Sequence, residues 1–174
     1  MTMTDMLRQD IKDCEMLLIG IGGEWKHGPG SCADGKSDKI TDVYNRLSGF
    51  IAGKNYFIVT SCEDGAVYNS CLNPKRITAP FFDREEGEEQ WNFYNRWLSM
   101  TLNRKLLLLE LGEGFEAPGF IRWPFENITF INNKAKLYRI HAKLSNIPEN
   151  IRDKSVAVKE NSLEYIVKML ENCD

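Results

Sequence analysis

The amino-acid sequence predicts an α/β fold of three layers, with helices on both faces of a mainly parallel sheet. Three observations lead there. Leu106, Leu107, Leu108, Leu109 and Leu111 form an apolar run too short to cross a membrane and too apolar for a strand with one face in water. Such a run reads as a central strand covered on both sides. Strand-like and helix-like segments alternate along the chain with no repeat and no internal linker. Three of the strand-like runs stop at glycine-bearing loops, at residues 20–23, 60–65 and 112–114. Glycine at the carboxyl end of a buried strand lets backbone N–H groups approach a ligand without interference from Cβ.

The elements follow in order. Thr4 is positioned to cap a helix reaching about Cys14, with Leu7, Ile11 and Cys14 on one face. Residues 16–21 read as the first strand, running into Gly22 and Gly23. Residues 24–36 are rich in Gly, Pro, Ser and Asp and have no periodicity, so an irregular loop is expected, either functional or mobile. Asp38 then opens a helix in which Ile40, Val43, Tyr44, Leu47, Phe50 and Ile51 recur at helical spacing, with Gly53 as its stop. Residues 56–60 give the second strand, followed by an Asp64-Gly65 turn. Residues 75–79, fenced by Pro74 and Pro80, suit a short edge strand.

The acidic run 83–89 precedes a helix predicted over 88–103, and carboxylates in a first turn are stabilised by the helix dipole rather than marking a metal site. That helix places Trp91, Tyr94, Leu98 and Leu102 on one stripe, read as core, with Trp97 beside it. After the Leu-rich strand, residues 120–128 are predicted helical despite Pro124. Residues 136–141 are another strand and 155–158 a short one. Asn161 caps a last helix with Glu164 three residues on and Leu163, Ile166, Val167 and Leu170 along one face.

Composition narrows the function classes. At 174 residues the chain suits one domain, 1–174, large enough to fold without staples. A net charge of −3 without a basic stripe argues against nucleic acid and anionic membrane as partners. The amino terminus lacks the apolar core of a secretion signal, and no run has the length of a spanning helix, so the expected location is the cytoplasm. Five widely spaced cysteines with no C-x-x-C give neither a disulfide framework nor zinc-ligand spacing, and reduced thiols are expected.

In parallel sheets the ligand sits outside the carboxyl ends of the strands. The loops at residues 20–23, 60–65, 112–114 and after Ile140 are therefore expected to converge on one crevice suited to a nucleotide-like small molecule.

Together these loops make the chain similar to the sirtuin family of NAD-consuming deacylases and ADP-ribosyltransferases, over about residues 16–170. LLIGIGG occupies the place of the family's first Gly-rich NAD loop. NYFIVTSCEDG is similar to the strand leading into its Thr-Gln-Asn-x-Asp motif. LLLLELGEGF matches the strand ending in Gly-Thr-Ser, and KLYRIH the strand ending in a ribose-binding Asn. The segment from ELGEGF to PGFIRWPFE is closest to the bacterial branch tied to ADP-ribosylation. The resemblance implies a Rossmann-like, NAD-binding fold with NAD or ADP-ribose as ligand. It carries cofactor contacts onto Gly20, Gly22, Gly23, Thr60, Asp64, Gly112, Glu113, Gly114 and His141.

Departures from the pattern bear on chemistry. Ser61 and Cys62 stand where Gln and Asn are expected, Glu113 and Gly114 replace Thr and Ser, and His141 takes the Asn position. The family's general base should follow the second motif, yet residues 66–82 contain neither His nor Gln. The cysteine-bearing zinc module is absent from the sequence, so no metal is expected. His27 and Glu113 are the substitute candidates for a base near neutral pKa. Cys62 reads as an ordinary buried thiol and Arg122 as a counter-charge for phosphate or part of a salt bridge.

Three readings follow: a reduced sirtuin-like domain that binds NAD or ADP-ribose with weak or lost catalysis; an active NAD-dependent ADP-ribosyltransferase or deacylase with a substitute base acting on a protein substrate; and a non-catalytic protein-interaction module whose crevice is filled by Trp25 or Trp123.

Overall fold

The structure is a computed structural model that describes residues 1–26 and 36–171. Its elements are α1 (Met3–Asp13), β1 (Met16–Ile21), α2 (Lys36–Phe50), β2 (Asn55–Thr60), β3 (Ile77–Thr78), α3 (Pro80–Asp83), α4 (Glu88–Ser99), β4 (Leu106–Leu111), α5 (Arg122–Ile131), β5 (Lys136–Ile140), β6 (Ser155–Val158) and α6 (Ser162–Glu171). The strands form one six-stranded sheet in the order β3-β2-β1-β4-β5-β6, every pair parallel. The chain thus builds outward from β1 in one direction, returns, and builds outward from β4 in the other. This is the Rossmann-like three-layer arrangement, and the reversal between β1 and β4 opens a crevice at their carboxyl ends.

Register makes the rim level. Ile21 lies opposite both Thr60 and Leu111, Leu111 opposite Ile140, and Ile140 opposite Val158. Five strands therefore end in one row, and their loops leave from one edge.

Side-chain alternation assigns the two faces. Leu17, Ile19 and Ile21 of β1 and Leu107, Leu109 and Leu111 of β4 pack with α1, α2 and α6. Met16, Leu18, Leu106 and Leu108 point the other way, to Tyr94 and Trp97 of α4 and Phe125 of α5. Every residue of β1 and β4 is buried, as expected of strands covered twice. Each such leucine contributes about 1.5–3 kcal/mol of burial. Gly20 sits on the α5 face, where an added Cβ would stand 2.7 Å from Ile121 Cγ2 and 2.8 Å from the Phe125 ring. Its bare Cα lets α5 settle onto the sheet.

Several boundaries differ from expectation, each for a local reason. The first helix is capped by Thr2, not Thr4, because Thr2 and Asp5 complete a reciprocal capping box. The expected strand at 75–79 shrinks to Ile77–Thr78, since Asn73 caps a turn of 3₁₀ helix at Pro74–Arg76. The aromatic helix stops at Ser99 instead of 103, so Leu102 is 60% exposed, and Trp97 occupies the buried stripe instead. The helix predicted from Phe120 begins at Arg122, which puts Pro124 in the first turn, where its missing N–H breaks no helical bond.

Candidate functional site

The strand ladders continue one step past the strand tips and tie the loops together. Ser61 N–H donates to Ile21 O at 3.0 Å, Gly22 N–H to Leu111 O at 2.9 Å, Gly112 N–H to Ile140 O at 2.8 Å and His141 N–H to Val158 O at 3.1 Å. The loops after β1 and β4 then cross at very close range. A Cβ on Gly22 would lie 2.5 Å from Glu113 Cα and 2.8 Å from its backbone nitrogen. Gly112 has φ of +69°, and a Cβ there would meet Glu24 Cβ at 2.5 Å. Glycine at these two positions is a steric requirement of the crossing.

Over this crossing lies a cavity of about 300 Å³. Gly23, Glu24 and Lys26 line it from the β1 loop, and Ser61 lines it from the tip of β2. Residues 112–116 line it from the β4 loop, and His141 and Leu144 from the β5 loop. Two larger concavities, of about 670 and 680 Å³, lie along α4 and α5 respectively, away from this loop crossing.

Glu113 is the chemically distinctive group. Its side chain is 3% exposed, and its Oε2 accepts a 2.8 Å hydrogen bond from Ser61 Oγ. Burial pushes its pKa up to about 7, against the opposing pull of the Ser61 hydrogen bond. A carboxyl titrating near neutrality in a cleft can exchange a proton with a bound hydroxyl.

His141 is held by its other nitrogen. Nδ1 accepts from the backbone N–H groups of Lys143 and Leu144, each at 3.0 Å. Two donors at Nδ1 leave the ring proton on Nε2, the nitrogen that lies 3.9 Å from where a Cβ on Gly114 would stand. Burial holds the imidazole below its ordinary pKa, although Glu24 at 4.0 Å pulls the other way. At neutral pH His141 is therefore a neutral donor toward the crevice.

Glu24 is spent on architecture. Its Oε1 accepts from Ser162 N–H at 2.9 Å, at the start of α6, and its Oε2 from Ala142 N–H at 3.1 Å. This pins the β1 loop to the β5 loop and to α6. Lys26 pairs with Glu116 at 3.2 Å. Among the described lining residues the crevice thus carries three carboxyl groups against one lysine.

Beneath the floor is a buried ion cluster. Arg139, fully buried, grips Glu110 with Nε at 2.8 Å and Nη2 at 2.9 Å, and reaches Glu126 at 2.8 Å. Arg122 Nη1 lies 3.4 Å from Glu110 and donates to Glu113 O and Leu144 O at 3.3 and 3.0 Å. Arg122 is 3% exposed, so its charge is met from below, and the salt-bridge expectation describes it.

The other expected residues fall as follows. Gly23, Gly112, Glu113, Gly114 and His141 line the crevice, Gly23 with open space around its Cα, and Gly22 packs against the Glu113 backbone at the loop crossing. Gly20 serves packing against α5. Thr60 uses its hydroxyl internally, donating to Ile21 O and accepting from Cys62 N–H. Asp64, not among the residues lining this cavity, accepts from Ala66 N–H at 3.1 Å. Cys62 is buried, with a pKa pushed up to about 11 by burial, so it is a thiol and no nucleophile. His27 lies outside the described residues. Trp25 does not fill the crevice: it is buried under α6, its Nε1–H bonded to Ser162 Oγ at 3.0 Å and its ring 5.1 Å from Tyr44. Trp123 is 58% exposed on α5. Sequence reasoning missed the partnership of Ser61 with Glu113. A hydroxyl at one strand tip facing a carboxyl two strands away is visible only once strand order is known.

No family model matches the chain. It is similar to a protein ADP-ribosyltransferase of Staphylococcus aureus (strain Mu50 / ATCC 700699), 27% identical over 101 residues that cover 58% of this chain and 32% of that protein. It is also similar to a probable bifunctional ADP-ribose hydrolase/ADP-ribosyltransferase of Fusarium oxysporum f. sp. cubense, 41% identical over 59 residues that cover 32% of this chain and 9% of that protein. The chain thus spans about a third of the length of the first and about a tenth of the second. Among the described residues no helix is long and apolar enough to cross a membrane.

Proposed function

We propose that the crevice at the β1/β4 reversal binds NAD or its ADP-ribose portion, and that this is a sirtuin-like domain with weakened or lost catalysis. The observation that carries the reading is the crossing of two glycine loops, Gly22-Gly23 and Gly112-Glu113-Gly114, at the one place where a sheet of this order receives a nucleotide. Likeness to proteins named for ADP-ribosyl transfer supports the same ligand class.

The residues fit an ADP-ribose-like ligand unevenly. Gly23 leaves backbone open to a close approach. Glu113 and the Nε2–H of His141 offer an acceptor and a donor for ribose hydroxyls. Glu24, Glu113 and Glu116 outnumber Lys26, which disfavours a pyrophosphate and supports modest affinity.

NAD, when bound, would supply a glycosidic bond whose cleavage releases nicotinamide. The active reading, an NAD-dependent ADP-ribosyltransferase or deacylase acting on a protein, is favoured by one feature: Glu113 stands in the crevice with a pKa of about 7, suited to hold or take a proton from a hydroxyl. Isothermal titration with NAD and with ADP-ribose tests the primary reading. Micromolar to millimolar binding is the expected result, and no heat with either ligand at millimolar concentration would overturn it.

A further inference from the structure

We infer that Phe115 is a stacking platform for an uncharged planar base, the adenine end of the ligand rather than a cationic pyridinium ring. The inference rests on the reading of the crevice as an ADP-ribose site and assigns its base-recognising residue.

Phe115 follows the Gly112-Glu113-Gly114 crossing and lines the same cavity, yet it is 57% exposed. A large aromatic side chain left that open has no packing reason of its own to be ordered. It is nonetheless held, because the Arg122 guanidinium lies over its ring, 4.3 Å from the centroid. Arg122 is itself fixed by Glu110, by Glu113 O and by Leu144 O. A rigid ion cluster therefore backs the ring, which is otherwise largely exposed and is among the residues lining the cavity. An aromatic side chain fixed on one side and open on the other is the geometry on which a base stacks.

The backing cation also selects. Cations are drawn to the electron-rich face of an aromatic ring. With Arg122 already drawing on that density, a second cation on the other side gains less from the ring. A neutral purine stacks through its π-face and does not depend on that density. The ring sits a few residues from Glu113, so a base on Phe115 would bring its attached ribose toward Glu113 and His141.

Titration calorimetry with ADP-ribose and with NAD, on the unaltered chain and on Phe115→Ala, Phe115→Leu and Phe115→Trp, tests this. Base stacking predicts roughly tenfold to hundredfold weaker binding of both ligands to Phe115→Ala and to Phe115→Leu, with binding retained by Phe115→Trp. Thermal unfolding should be unchanged in Phe115→Ala, since the ring is largely exposed. Equal affinity of Phe115→Ala and the unaltered chain would overturn the platform, as would full retention by Phe115→Leu. A loss confined to NAD would put the pyridinium on the ring and overturn the adenine assignment. Absence of binding by the unaltered chain would overturn the ADP-ribose reading itself, an outcome distinct from the others.

Discussion

Ser61 Oγ donates a 2.8 Å hydrogen bond to Glu113 Oε2, joining the tip of β2 to the loop after β4 across the end of β1. The bond fixes one carboxylate oxygen of a buried acid that has no cationic side chain directly bonded to it among the described residues. Burial, working against that bond, pushes the Glu113 pKa up to about 7 in the middle of the crevice.

The first prediction concerns stability and pH. Because burial raises the Glu113 pKa from 4.5 to about 7, the native state holds this proton more tightly than the unfolded chain does. Its contribution therefore favours folding at acid pH and is withdrawn as the pH climbs through that interval. Glu113→Gln removes the titration while retaining an acceptor for Ser61. Chemical denaturation should find the variant close to the unaltered chain at pH 4.5 and more stable at pH 8 by roughly 1–3 kcal/mol. A difference that does not grow with pH would show that the carboxyl is not destabilised by burial.

A second prediction addresses chemistry under the active reading. Nicotinamide release from NAD should exceed background, rise through a midpoint near pH 7, and disappear in Glu113→Gln. Release undiminished by that substitution would remove Glu113 from the reaction.

Gly22 and Gly23 form a third, matched test. Alanine at position 22 would force its Cβ into the Glu113 backbone at 2.5 Å, whereas nothing lies within 4 Å of a Cβ at 23. Gly22→Ala should cost about 1–3 kcal/mol by overpacking and should weaken ligand binding as the loops are forced apart. Gly23→Ala should stay within about 0.5 kcal/mol. Equal losses of thermal stability in the two variants would contradict the crossing geometry.

The ion cluster yields a fourth. Arg139→Met leaves Glu110 buried, facing only Arg122 at 3.4 Å, and should destabilise by about 3–5 kcal/mol. Replacing Glu110 and Arg139 together with apolar residues should recover part of that loss, measured as a double-mutant cycle. A double variant worse than the sum of the singles would argue that the cluster has no internal coupling of the expected sign.

Much of the fold was legible in the chain because its signals are local. The run at 106–111 announces a strand covered on both faces, and Met16–Ile21 and Ser155–Val158 fall where they were expected. Helix periodicity located α2 and α6 by the same logic of matching apolar spacing to geometry. Ends were read less well, since capping by Thr2 over Thr4, or the stop at Ser99, turns on single hydrogen bonds and a few exposed atoms.

By itself, then, the chain determined the layers, the parallel sheet and the glycine loops, because apolar period and turn chemistry are written in neighbouring residues. Only the tertiary structure decided that Gly20 serves α5, that Arg122 turns down to Glu110, and that Ser61 meets Glu113. Those outcomes depend on which strands lie side by side, and residues some fifty positions apart become partners only when the sheet order brings them together.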